Sequence, residues 1–303
     1  MASLICGSLA FDTIMGFEGR FAEQILPDQL HILNVSFLVP ALRRDFGGCA
    51  GNIAYSLKLL GGDPLPMAML GTDAADYMAR LGSLGISTEF VGKVNDTHTA
   101  QAIIMTDRDN NQITAFHPGA MMQAHANVVA ARSDIKLGIV SPDGRDAMQQ
   151  HAQQFKAAGI PFVFDPGQGL PMFDGADLTQ FIALAQWVTV NDYEGKMLSE
   201  RTGLSSSEIS KRVPGGLVVT LGAQGSEVWV NGEMTLVPAT KPTAVVDPTG
   251  CGDAYRGGLL YGLERGWSLL RSAELGGHLG ALKIAQRGPQ NYVLDDRVRA
   301  MLA

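Results

Sequence analysis

From Ile135 onward the chain repeats one alternation: a short run rich in β-branched residues, then a stretch with helical spacing. IKLGIV, PFVFD, WVTVN and GLVVTL are the runs, and DAMQQHAQQFKAAG and DYEGKMLSERTG are the helical stretches. Strands that alternate with helices are joined by crossovers, so they pair in parallel and need helices over both sheet faces. The pattern therefore predicts an α/β fold with a mostly parallel sheet flanked by helices.

The first third departs from this rhythm. CAGNIAYSLKLLGG reads as a helix stopped by Gly61 and Gly62. ILNVSFLV, the residues around Met15, and TAQAIIMTDRDNNQITAFHPG read as strands without intervening helices, with Asp107–Asn111 as a turn. Parts of about residues 13–40 and 95–118 thus form a small β-rich excursion. No repeat or low-complexity linker sets it apart, so the reading is a single domain over 1–303 with the excursion as a lid or an interface.

Composition narrows the function classes. At 303 residues, 46% apolar and 17% charged, the chain suits a well-packed enzyme-like protein. Its net charge of -7 argues against binding a nucleic-acid backbone and leaves room for a small anionic substrate. MASLICGSLAFDTIMG has no cationic start and meets Asp12 early, so it reads as a first strand and not a signal peptide. No apolar run approaches the ~18 residues of a membrane span. Cys6, Cys49 and Cys251 are too scattered for a disulfide framework or a metal site, and a reducing cytoplasm fits them. The six histidines form no HxxxH or HExxH spacing.

The densest motif is VVDPTGCGDAYRGG, Val245 to Gly258. If VVD ends a strand and CGDAYRGGLLYGLERG is a helix, Gly250, Cys251 and Gly252 form the helix start. There backbone N–H groups lack partners and attract anions. Glycine lets an oxyanion approach closely, and Asp253 stands beside it as a candidate general base. The plain alternative is an ordinary first-turn carboxylate with glycines for tight packing. Neither a Walker A nor a GxGxxG motif occurs. Arg256 suits a phosphate contact or a helix surface; Cys251 suits the turn by its small size, or as a thiol whose pKa the helix start depresses.

DPTGCGDAY resembles the second signature of the PfkB, or ribokinase-like, carbohydrate kinase family, D-T-x-G-x-G-D-x-F. GGCAGNIAYSLKLLGG, Gly47 to Gly62, is similar to the first. The resemblance implies a ribokinase-like sheet with a small β-sheet lid, ATP as donor and Mg²⁺ as its companion. By the same resemblance, Asp12, Gly48 and Asn52 bind sugar hydroxyls, Asp253 is the base, and the Gly250 to Gly252 backbone holds the transferred phosphoryl group. In NDYE, Asn191 and Glu194 match a motif that organises Mg²⁺ waters. In TLGAQG, Thr220, Gly222 and Gly225 match a turn against the nucleotide. Asp247 and Thr249 match positions linked to a monovalent cation such as K⁺.

Within that family, GRFAEQILPDQLHILNVSFLV, AFHPGAM and DPGQGL resemble bacterial adenosine kinases. That resemblance implies Ser8, Asp12, Ser36, Phe116 and Gln168 around the nucleoside. Ala102 stands where a stacking aromatic is expected, and Gly169 where a second Gln is expected. The expected activity is ATP-dependent phosphorylation of a ribonucleoside 5′-hydroxyl, adenosine first, by a cytoplasmic homodimer. A sugar kinase, a kinase of another nucleoside and a non-catalytic nucleoside-binding protein are the alternatives. Asp253, its glycines and Glu194 argue against the last.

Overall fold

The computed structural model describes residues 2–25, 31–32, 34–109 and 111–302. Its larger sheet contains β1 (Ala2–Cys6), β4 (Asp63–Leu70), β5 (Val91–Lys93), β8 (Ile135–Val140), β9 (Phe162–Phe164), β10 (Trp187–Asn191) and β11 (Leu217–Thr220). β12 (Ser226–Val230) and β13 (Glu233–Val237) extend it. The order is β13-β12-β11-β10-β9-β8-β1-β4-β5. Pairing is parallel from β11 to β5, and β12 and β13 add an antiparallel edge.

Both faces of this sheet are covered, because its strands are apolar on both sides. In β1, Leu4 and Cys6 point into one core and Ile5 into the other; in β9, Phe162 and Phe164 oppose Val163 in the same way. One face packs α2 (Cys49–Leu59), α3 (Ala75–Ser83), α8 (Cys251–Glu264), α9 (Leu269–Ile284) and α10 (Asp296–Leu302) through Ile53, Tyr77, Leu259, Leu275 and Val298. The other packs α4 (Arg145–Ala158), α5 (Gly175–Leu184), α6 (Asp192–Thr202) and α7 (Ser206–Arg212) through Phe155, Phe181, Leu198 and Ile209. Phe21–Gln24 adds the single turn α1. This is the α/β architecture, a mostly parallel sheet flanked by helices, that the alternation predicts.

A second, four-stranded sheet holds β2 (Ala10–Gly16), β3 (Ala41–Gly47), β6 (Ala100–Thr106) and β7 (Gln112–His117) in the order β3-β2-β6-β7. Two expectations fail nearby. ILNVSFLV forms no strand among its described residues, and Leu38 is 87% exposed. Phe37 instead packs on Phe17 and Phe21, with ring centroids 5.0 and 5.2 Å away. The place beside β2 belongs to β3, which starts beyond residue 40 and sets Phe46 opposite Phe11. Likewise VVD ends no strand. The N–H groups of Val246 and Asp247 both donate to the carbonyl of Ile284, at the end of α9, and Val245 stays 75% exposed.

Candidate active site

The carboxyl ends of the parallel strands and the starts of α2, α6 and α8 deliver the site residues. This is where open α/β sheets bind ligands. α8 begins at Gly250, whose φ of 79° is left-handed, and a side chain there would meet Pro289 at 2.5 Å. Cys251, Gly252 and Asp253 follow in the first turn. Burial pushes the Cys251 thiol up to about 11, so the helix start does not turn it into a thiolate.

Asp253 is held in one orientation. Its Oδ2 accepts the side-chain amide of Asn52 at 2.8 Å. Gln290 fixes that amide in turn: its Nε2 donates to Asn52 Oδ1 and to the hydroxyl of Tyr77, both at 3.1 Å. The Tyr77 hydroxyl donates to the carbonyl of Gly47 at 2.6 Å. Burial raises the Asp253 carboxyl to about 6, opposed by the Asn52 bond and reinforced by the charge of Asp165. Burial also raises Asp12 to about 6, with the charges of Asp253, Asp45 and Asp247 adding to it. The charge of Asp253 therefore bears directly on Asp12. Asn52, expected on sugar hydroxyls, thus has one amide proton on the base and one left over.

The start of α2 is shaped for close approach. Gly48, with a φ of 83°, would place a side chain 2.5 Å from the carbonyl of Ser8. Ser8 is buried, and its hydroxyl accepts the N–H of Cys49 at 3.3 Å. Asp12 lies in β2 in a cross-sheet row running Asp45, Asp12, Ala102, Phe116. Residues in register share a face, so the carboxylate, the alanine and the aromatic ring line one surface. Phe116 is 55% exposed. Ser36 and Gln168 are also exposed and are not drawn into the buried cluster. Gly169 is buried, and a Cβ there would come 3.1 Å from the end of the Met172 side chain and 3.3 Å from the sulfur of Met148.

At the β10 end, Asn191 and Glu194 form a capping box. The Asn191 N–H and side-chain amide donate to Glu194 Oε2 and Oε1 at 2.8 and 2.9 Å, and the Glu194 N–H returns a bond of 2.7 Å. Glu194 is buried, not solvated, and its carboxyl is raised by burial and by the charge of Asp165. Each of its oxygens keeps lone pairs beyond the Asn191 bonds, which suits a metal-bound water. Thr220 ends β11, and the turn through Gly222 and Gly225, both left-handed, leads into β12.

Arg256 takes neither role read from the sequence. It is buried one turn after Asp253 and grips Asp165, at the end of β9, through Nε and Nη2 at 3.0 and 2.9 Å. Asp247 accepts the N–H groups of Thr249 and Gly288, both at 2.9 Å, and Arg43 from β3 at 3.3 Å. These bonds hold its carboxyl below the ordinary value despite burial. Its backbone carbonyl takes the ammonium of Lys283 at 2.6 Å.

A model described as pfkB family carbohydrate kinase matches residues 22–297. The chain belongs to the PfkB carbohydrate kinase family. It is a phosphotransferase with an alcohol acceptor. Nucleoside kinase from Methanocaldococcus jannaschii is 29% identical over 294 residues, 96% of this chain and 93% of that protein. The structure of Burkholderia thailandensis nucleoside kinase in complex with inosine is 53% identical, covers 99% of this chain and 96% of that one, and superposes with a TM-score of 0.88. The same kinase in complex with ADP-inosine gives 54% identity and a TM-score of 0.86, covering 99% of this chain and 94% of that one.

Sequence reading missed Asp165, Gln290 and Lys283 in this PfkB site. Asp165 follows a strand like any turn residue, and nothing local couples it to Arg256. Gln290 lies in an irregular stretch after α9. Lys283 did leave a signal: it continues the buried stripe of Leu275 and Leu279 at helical spacing.

Proposed function

We propose that the chain transfers the γ-phosphoryl group of ATP to the 5′-hydroxyl of a ribonucleoside, with adenosine as the expected acceptor and inosine tolerated beside it. The observation that carries this reading is the 2.8 Å bond from Asn52 to Asp253 beside the Gly250 turn. It holds a carboxylate of pKa about 6, ionised at neutral pH, in the first turn of α8.

In this reading the nucleotide lies along the Gly222–Gly225 turn with its phosphates toward the start of α8. Glu194 would hold an Mg²⁺ ion through water, and the ion would supply positive charge to the phosphates. Asp253 accepts the 5′-hydroxyl proton as the O5′–P bond forms and the bond to ADP breaks. The N–H of Gly252 meets the charge on the moving phosphoryl oxygens, while the Cys251 N–H, expected to be free, donates to the carbonyl of Pro248 at 3.2 Å. Asn52 and Gln290 aim the base. Asp12 and the spare proton of Asn52 take the ribose hydroxyls, while the Ala102 and Phe116 surface receives the base.

Two features support a nucleoside over a bare sugar. The Asp12 row continues into an apolar, aromatic surface that a lone ribose would leave uncovered. The Burkholderia kinase, with about half its residues in common, holds inosine. An acceptor panel tests this: kcat/KM with ATP is measured for adenosine, inosine, guanosine, cytidine and ribose. Adenosine and inosine are expected to exceed ribose by about a hundredfold or more, since the pocket binds the base as well. Equal kcat/KM for ribose and adenosine would replace this reading with a sugar kinase.

We further propose that the second sheet closes over the nucleoside and joins a second copy in a homodimer. Its face opposite the Asp12 row carries Leu42, Ile103 and Ile113, all exposed, on a sheet with free edges. Purine salvage in a reducing cytoplasm is the setting proposed for this activity. The three cysteines are free, and among the described residues no helix is long and apolar enough to cross a membrane.

A further inference from the structure

Lys283, in the last turn of α9, has a side chain that is 0% exposed. Its Nζ donates to the carbonyl oxygens of Asp247 at 2.6 Å and Gln286 at 3.2 Å, and lies 3.9 Å from Asp247 Oδ1. A buried ammonium with no oxygen around it is costly, and here backbone carbonyls and one carboxylate supply the oxygens.

The two carbonyls come from the segments that frame the anion-binding turn. Asp247 stands just before Gly250, and Gln286 just before Pro289, which packs on Gly250. The same Asp247 carboxylate takes the N–H groups of Thr249 and Gly288, one from each segment. Lys283 therefore pins the start of α8 to the end of α9 at a single positive charge. Carbonyl oxygens beside a carboxylate are also the donor set of a hard monovalent cation. A K⁺ ion at Asp247 and Thr249 does not fit this chain: the Asp247 carbonyl already holds the Lys283 ammonium, and the Asp247 carboxylate already takes two backbone N–H groups and Arg43.

We propose that the Lys283 ammonium is a built-in replacement for a dissolved monovalent cation, so that this chain keeps its anion-binding turn in place without K⁺. Lys283 is a positioning residue, since it acts on the phosphoryl group through the Asp247–Gly250 backbone. The proposal uses the kinase reading only for its turnover measurement; its melting measurement stands apart from any substrate.

The test titrates KCl from zero to about 100 mM against tetramethylammonium chloride, at constant ionic strength and with the tetramethylammonium salt of ATP, so that general screening is unchanged. Wild-type turnover, measured with the best acceptor of the panel, is expected to vary by less than about twofold, the scale of residual screening effects. Stimulation of the wild type by K⁺ beyond about fivefold, more than screening explains, overturns the proposal. Lys283→Ala is expected to be slower by about tenfold or more without K⁺, because two buried carbonyls lose their partner. K⁺ or NH₄⁺ should restore it saturably. A folded variant that neither ion restores counts against the proposal. Melting temperature gives the second readout: K⁺ should raise that of Lys283→Ala and leave that of the wild type unmoved, as a ligand binding only the folded variant would. K⁺ stabilisation of the wild type contradicts the proposal even if no acceptor is found. If Lys283→Ala fails to fold, the two wild-type titrations still decide.

Discussion

Around the phosphate side of the site, Arg256, Asp165, Asn52, Gln290 and Glu194 are all buried and each bonds to at least one other side chain. Across from them, every residue of β7 is exposed and β3 and β6 are mostly half-buried or exposed. The first region is fixed by mutual bonds before any ligand arrives. The second presents a row of side chains on an open sheet, and few neighbours dictate what stands there. Under the proposed function the difference teaches where each property resides: reaction chemistry would depend on preorganised buried groups, whereas acceptor choice would depend on a surface that is easily rebuilt.

Substitutions on the buried side should therefore have the largest effects. Arg256→Met leaves Asp165 buried without its partner, and removal of one member of such a pair costs about 3–5 kcal/mol. Urea unfolding should show a loss of that size. A loss below about 1 kcal/mol, typical of a surface pair, would mean the pair contributes little.

Next in size is the ribose contact. A 2′-deoxy acceptor leaves Asp12 or Asn52 without a hydroxyl partner, which costs about 1–3 kcal/mol. Deoxyadenosine should then have a kcat/KM about 10- to 100-fold below adenosine. Equal values would remove Asp12 from ribose recognition.

Smaller still is the base surface. Ala102→Phe sets a second ring opposite Phe116 in the antiparallel pair, and aromatic pairing is worth about 0.5–1.5 kcal/mol. Adenosine KM should fall by about 2- to 10-fold with kcat little changed. A rise in KM would show that the space is needed by the nucleoside. Least disruptive to stability is Leu42→Ser, on the exposed face, which should change unfolding free energy by no more than about 0.5 kcal/mol. Its readout is sedimentation: the proposed dimer should weaken, and an unchanged assembly would place the contact elsewhere.

The same contrast explains what the sequence disclosed. β8 to β11 and α4 and α6 were legible because apolar runs and helical spacing follow directly from burial on two sheet faces; Gly159 and Gly203, which end those two helices in left-handed conformation, are stops the sequence reading did not name. The α8 start was legible because Gly250, Gly252 and Asp253 are adjacent in the chain. ILNVSFLV misled because β-branched composition measures fit to a pleated surface, not the presence of a partner, and β3 filled that place. Val245–Asp247 misled for the same reason, with α9 as the competing partner. Arg256 with Asp165, and Gln290 with Asn52, are pairs joined only by the fold, so no local pattern could announce them.

The carboxyl values also fix a stability direction. Asp253 has a folded pKa of about 6, above its ordinary 3.8, so its burial favours the protonated form. That contribution is complete below about pH 4 and is lost as pH rises through about 6. Asp253→Asn, which resembles the protonated form, should thus melt higher than the wild type at pH 8 and no higher at pH 4.

The central claim is that Asp253 is the base on a preorganised anion-binding turn. It is tested most directly by turnover of Asp253→Asn at pH 8, alongside calorimetric nucleoside affinity in the same buffer. The account expects kcat to fall by about 10²–10⁴-fold, the usual loss for a general base, while affinity stays within about threefold. A kcat within about tenfold of the wild type, in a variant that binds nucleoside normally, would contradict it.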